Sequence, residues 1–205
     1  VQLSKDLIIT ASLEILDTYG LADMTMRRLA KKLGVAPGAL YWHFKNKQAL
    51  IDATARRLLA PLFLSDSEST PTAVAHKVRA VMLEYRDGAE LLSAALTDNV
   101  LRNDVEHCIR QAFGEHPHST LGATTLLHFI LGSTVIEQAA VQRAALHHGT
   151  EVASANPSAD QEEPQNLGCH TPKTQCDLEQ QQQAYATQFT EGLRLIMAGL
   201  EQCTS

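Results

Sequence analysis

Aromatic side chains are scarce in this chain: they make up 5% of 205 residues, with a single Trp. Cysteine is scarcer still, and its four copies (Cys108, Cys169, Cys176 and Cys203) form no C-x-x-C pair. That spacing encodes neither a disulfide scaffold nor an obvious zinc site, and it fits unpaired thiols in a reducing cytoplasm. A Gly-rich phosphate loop, a G-x-S-x-G elbow and an H-E-x-x-H pair are all missing, so an enzyme is not expected. His107 and Cys108 are neighbours, but adjacent helical residues diverge by about 100° and do not make a thiolate–imidazole pair. His116-Pro117-His118 and His147-His148 lack third and fourth ligands at helical spacing, so neither a metal nor a cofactor is expected. The opening "VQLSKDLIITASLEILDTYG" carries Asp6, Glu14 and Asp17 through its apolar part, unlike a signal peptide. No uncharged apolar run is read as approaching the ~20 residues of a membrane span. A cytoplasmic protein with no membrane partner is the expectation.

Strand signals are lacking as well, and helical periodicity fills the space. Residues 5–19 place Ile9, Leu13 and Leu16 at helical spacing, widened by Ile8 and Ile15, and Gly20 stops the run. Thr25 reads as an N-cap, with Met24 before it and Leu29 four positions after it, the arrangement of a hydrophobic staple. "MRRLAKKL" then runs to Gly34. Pro37 suits a first helical position, which starts a short helix of about Pro37 to His43. Asn46 caps a longer helix that runs toward Pro61. Beyond it, Thr70-Pro71 opens a helix ending at Asp87-Gly88, two shorter helices follow, and Ser119 can cap a long one. Residues 148–176 are polar and hold three prolines, which reads as a mobile loop. Asp177 is read as the cap of the last helix, with Tyr185, Phe189, Leu193, Ile196 and Leu200 along one face. The expected fold is all-α: a head over 1–46, a connecting helix over 47–61 and a body over 62–205.

What is present in excess is local. Residues 1–60 hold nine Lys/Arg against five Asp/Glu, while the rest of the chain, of overall charge −6, holds eight against eighteen. A basic head on an acidic body points to a polyanion met by the head alone. Within that head, "GVAPGALYWHFKNKQAL" crowds four aromatic rings into Tyr41–Phe44. At about 100° per residue, Leu40 and Phe44 share one helical face, whereas Gly38, Tyr41 and Trp42 fall on the other. Large rings are expensive to leave wet, and the polar tips of Tyr and Trp suit a half-polar partner. The connection "GVA" is short enough to impose a helix-turn-helix crossing, which sends the second helix into a DNA major groove. Pro37, Gly38 and Ala39 at its front are small and allow close approach. Tyr41 and Trp42 then meet thymine methyls, sugars or phosphates, and Thr25, Arg27, His43 and Lys47 anchor the backbone. In the competing class, a helical interaction module or an enzyme unrelated to DNA, Tyr41 and Trp42 pack on the body instead. Steep loss of duplex binding with salt separates the two.

"TMRRLAKKLGVAPGALYWHFKNKQALIDA" resembles the DNA-binding head of the tetracycline-repressor (TetR) family over about residues 5–55. The match lies in Gly34-Val35 at the turn, then Leu40-Tyr41-x-His43-Phe44, then Lys47-x-x-Leu50. The resemblance implies a homodimer reading a near-palindromic double-stranded DNA operator, with a body that dimerises and binds a small effector. It also implies DNA contact at Thr25, Arg27, Tyr41, Trp42, His43 and Lys47. Pro37 stands where the family usually has a base-reading polar side chain, so sequence preference leans on apolar contacts and Arg27.

The resemblance continues into "YRDGAELL" and "LLHFILGSTVIEQ", which are similar to the subgroup holding the tetracycline repressor itself. There the last two long helices pair with their copies; Gly132, Gly192, Ala198 and Gly199 are small enough for such packing. The drug of that subgroup binds as a magnesium complex. His128 falls on one pocket position, but the metal-binding His position is Leu92, and the acid position eight past His128 is Ile136. Polar positions expected elsewhere in the pocket are Phe63 and Val74. A hard cation wants oxygen ligands, so a small hydrophobic effector is expected instead of magnesium–tetracycline. Its expected pocket is Phe63, Met82, Tyr85, Leu92, His128 and Ile136.

Overall fold

The structure, a computed structural model, describes residues 3–64, 69–97, 99–154 and 173–203, with side chains left out of account at 145–154 and 173–177. Among the described residues every regular element is a helix: α1 (Lys5–Tyr19), α2 (Met26–Leu33), α3 (Pro37–Tyr41), α4 (Lys47–Leu58), α5 (Ala60–Phe63), α6 (Pro71–Leu83), α7 (Gly88–Ala95), α8 (Asn99–Ala112), α9 (Ser119–Ser154) and α10 (Lys173–Gln202). The all-α expectation holds.

Side-chain caps set most of the starts. The Ser4, Thr25, Asn46 and Thr70 oxygens accept from the backbone N–H groups of Leu7, Arg28, Ala49 and Ala73, each satisfying a donor the helix leaves open. Met24 and Leu29 flank the Thr25 cap and are both fully buried, which fixes the chain's entry into α2. Gly34 ends α2 in the left-handed region at φ 66°, where the Val35 N–H reaches back to the Ala30 carbonyl at 3.0 Å. α3 is shorter than the expected 37–43. Its last turn tightens as the N–H groups of both His43 and Phe44 donate to the Leu40 carbonyl, at 3.0 and 2.9 Å.

Three features differ from the sequence reading. α9 continues to Ser154, into the segment expected to be a loop, and α10 begins at Lys173 rather than at an Asp177 cap. The remainder of the expected loop, 155–172, lies outside the described residues. Ser119–Ala144 of α9 is also apolar and long enough to cross a membrane by length and composition, with a third of its apolar window buried. This differs from the reading that no uncharged apolar run approaches a membrane span. In the fold this helix packs against α6, α7, α8 and α10.

A continuous core joins the two halves. Ile8, Leu16, Leu29, Leu40 and Leu50 fill the head, and Met82, Leu92, Ile109, Leu126 and Leu193 fill the body. α4 spans them: it packs on α1 and on α7, and Gln48 Nε2 donates to the Ala94 carbonyl at 3.2 Å. Two ion pairs hold it from either side, Arg57 to Asp6 of α1 and Arg56 to Asp104 of α8.

Candidate nucleic-acid interface and body grooves

The short α3 divides its side chains as helical phase requires. Leu40 and Phe44 are buried, while Tyr41 is 51% and Trp42 90% exposed. A ring that open loses most of the stabilisation its burial would give, about 25 cal/mol per Å² of apolar surface. Pro37 and Gly38 are exposed beside them, Ala39 is half-buried, and a Cβ placed on Gly38 would meet nothing within 4 Å. His43 is half-buried at the end of this surface, and Lys45 and Lys47 are exposed next to it.

Cations gather on the neighbouring α2. A cleft of about 570 Å³ is lined by Tyr19, Thr25, Arg27, Arg28, Lys31 and Lys32. Arg28 pairs with Asp23 at 3.2 Å and lies 4.1 Å over the Tyr19 ring, and Lys32 pairs with Glu14 at 2.8 Å. Arg27 and Lys31 are exposed, with no ion pair among those found in the described residues. Thr25, whose hydroxyl caps α2, is one of the residues lining this cleft. Sequence reasoning singled out Thr25 and Arg27 but passed over Lys31. Its signal was present in the spacing: Arg27 and Lys31 are four apart and share a helix face.

In the body, the six expected pocket residues do not gather in one cavity. Met82 and Leu92 are fully buried in the core between α6 and α7, and Phe63 is half-buried with the Arg56 guanidinium 5.8 Å from its ring. Tyr85 lines a groove of about 690 Å³ between α6, α9 and α10. His128 and Ile136 line a second groove of about 330 Å³ between α9 and α10. Matching positions along the chain gave the helical phase of these residues but not their depth, which depends on how α6 and α7 tilt against α9. Among the described residues no three His, Cys, Asp or Glu side chains come together to hold a metal ion. Leu92 and Ile136 offer a cation no ligand atom, so the donor set does not fit a magnesium complex.

The floor of the body carries an arrangement the sequence reading did not single out. Arg79 grips Glu137 with two bonds, Nε to Oε2 at 2.9 Å and Nη2 to Oε1 at 2.5 Å, and both side chains are largely buried. The Arg79 guanidinium lies 5.2 Å from the Phe189 ring centroid; Phe129 stacks on Phe189, and His76 meets it edge-on. Gly192 is needed here, because a Cβ would fall 2.4 Å from the Phe129 ring. The signal available in sequence was Glu137 itself, the first charge after Ser119 in an apolar helix, which demands a partner.

Asp87 joins head and body. It holds a left-handed φ of 54°, and its Oδ2 accepts from the Leu21 N–H at 2.8 Å, in the turn after α1. Its Oδ1 accepts from Gln142 Nε2 of α9, also at 2.8 Å. Gln138, one turn earlier, donates to the Met82 and Tyr85 carbonyls and accepts from the Ala89 N–H, pinning the α6–α7 turn.

A short outward-facing helix, packed on a cation-rich one across the left-handed Gly34 turn and carried on a helical body, defines a helix-turn-helix regulator. Comparison with known proteins gives the family. Residues 8–54 match the model of bacterial regulatory proteins of the tetR family, and residues 67–204 match that of the tetracyclin repressor-like C-terminal domain. The chain belongs to the TetR family of transcriptional regulators. It is 32% identical over 159 residues to the class A tetracycline repressor protein from transposon 1721 of Escherichia coli, covering 73% of this chain and 74% of that one. With the class C tetracycline repressor protein of E. coli it shares 40% identity over 100 residues, 44% of each chain. The solved structure of BioQ with its natural double-stranded DNA operator is 33% identical and superposes with a TM-score of 0.64, covering 76% of this chain and all of that one.

Proposed function

We propose that this regulator is a repressor that binds a palindromic operator as a homodimer in the cytoplasm and is released by a small effector. The observation that carries this reading is the outward pair Tyr41 and Trp42 on α3, a helix packed against the α2 that carries the exposed Arg27 and Lys31. In the bound state Pro37, Gly38, Ala39, Tyr41 and Trp42 face base edges and sugars, while Thr25, Arg27, His43 and Lys47 hold phosphates. A relative solved on its operator supports the same use of the head.

Dimerisation is supported by the outer face of α9 and α10. Leu121, Ile136 and Leu195 are more than 60% exposed there, and Cβ atoms placed on Gly132 and Gly199 would meet nothing within 4 Å. Two copies packed through this face cover an apolar stripe that one copy leaves wet. The effector is expected to carry substantial apolar surface and to act without magnesium. It releases DNA by favouring a dimer whose recognition helices no longer match successive major grooves, about 34 Å apart. That requires tighter binding to the mismatched state.

Selection of random duplex DNA on the purified protein, with affinity read at two salt concentrations, tests the reading. The expected recovery is a palindrome with half-sites about one helical turn apart and steep salt dependence. Absence of duplex binding would refute it.

A further inference from the structure

Resting on the effector reading above, we propose that the groove between α6, α9 and α10 takes a neutral, flat molecule with an apolar body and carbonyl or amide edges, and that its occupancy is passed to the head through Gln142, Asp87 and Leu21.

Charge decides the first half. The groove's charged lining residues sum to zero: Arg79 is spent on Glu137, the Arg86 guanidinium donates to the Thr18 carbonyl at 3.4 Å, and Glu179 offsets its charge in number. A charged ligand would give up hydration against a lining of no net charge. The remaining surface is of two kinds. Leu83, Val141 and Ala186 supply apolar floor, and Tyr85, Gln142 and Gln182 supply hydroxyl and amide groups that both donate and accept. Its volume of about 690 Å³ lies within the ordinary range for small-molecule sites. A purely hydrophobic molecule would bury these amides unpaired, so the groove selects against one.

Connectivity decides the second half. Gln142 lines the groove and at the same time donates to Asp87 Oδ1. A ligand carbonyl drawing that amide inward competes with Asp87. The Asp87 carboxylate has little room to compensate: its other oxygen holds the Leu21 N–H, and a Cβ on Gly20 would lie 2.4 Å from it. Gln138 fixes the backbone on the body side, and the Arg86 N–H donates to Asp17 of α1 at 3.3 Å. A change at Gln142 is therefore delivered to the α1–α2 turn, immediately before the Thr25 cap.

The test is a titration of the full-length, ¹⁵N-labelled protein with coumarin and with 2-quinolone, followed by amide chemical shifts, with coumarin-3-carboxylate as the charged control. The proposal expects shifts at Val141, Gln142 and Gln182, and at the Leu21 amide outside the groove. Val141→Trp, which fills the groove, should abolish them. Gln182→Leu, at an exposed position that cannot unfold the chain, should weaken binding about three- to tenfold, the loss of one hydrogen bond. The carboxylate should bind more weakly than coumarin. No shifts with either neutral fragment, shifts confined to other surfaces, an unaltered response in Val141→Trp, or equal affinity for the carboxylate would each overturn the site. Groove shifts at saturation with Leu21 unmoved would overturn the relay. Operator affinity without any fragment is measured in parallel and tests the underlying reading alone. Operator release by a compound that leaves the groove signals unmoved would reject the groove and keep the regulator.

Discussion

The head and the body treat their large side chains in opposite ways. The head leaves Trp42 90% exposed and keeps Arg27 and Lys31 out of ion pairs among its described residues, while its core is apolar around Ser12, whose hydroxyl donates to the Ile8 carbonyl. The body encloses its most strongly paired charges, Arg79 and Glu137, against Phe189. The difference teaches where each half stores its specificity. The head holds unsatisfied surface in readiness for a polyanion, so its function costs little stability to remove. The body has satisfied its buried polar groups internally, so changing those acts first on the fold.

The largest effect should therefore come from the body. Glu137→Leu leaves Arg79 buried without its partner and should destabilise the protein by about 3–5 kcal/mol in urea unfolding. Adding Arg79→Met should recover much of that loss; a double variant no more stable than the single would mean that the ring stack, not the pair, sets the cost. In the head the order reverses. Trp42→Ala should weaken operator binding by about 1–3 kcal/mol, comparable to a lost base contact. Its unfolding free energy should change by less than about 0.5 kcal/mol, as for an ordinary surface substitution. Thr25→Ala removes both a helix cap and a proposed phosphate anchor. It should cost about 1 kcal/mol of stability and weaken specific and random duplexes alike, which competition binding can read. The smallest effect is kinetic. Burial, with the Asp104 carboxylate adding to it, pushes the Cys108 thiol above its ordinary pKa. Peptide mapping after brief alkylation near neutral pH should find exposed Cys203 modified ahead of Cys108, since the thiolate is the reactive form.

Legibility in the sequence follows the same divide. The head was readable because its elements are short and bounded by residues with one physical role: the Thr25 and Asn46 caps, the left-handed Gly34, and Pro37 at a first turn. With the phase of α3 fixed, the outward course of Tyr41 and Trp42 followed. The body resisted because its grooves are made by contacts between distant helices. Nothing local in "YRDGAELL" says that Asp87 adopts a positive φ and reaches both Leu21 and Gln142. Position along a helix gives Met82 and Leu92 the direction of a pocket, and only packing gives them their buried depth. The end of α9 at Ser154 is hidden because polar composition near 148 reads as loop, although Ala and Leu before it sustain a helix.

The central claim is that the exposed face of α3 meets DNA, and the protein contains its own probe. Trp42 is the sole tryptophan of the chain. Its fluorescence should be that of a solvated indole, quenched readily by iodide. On titration with the selected operator duplex the emission should shift to shorter wavelength and the iodide quenching should fall, with saturation at one duplex per dimer. Emission and quenching unchanged in the presence of saturating operator would place Trp42 outside the interface and contradict the account.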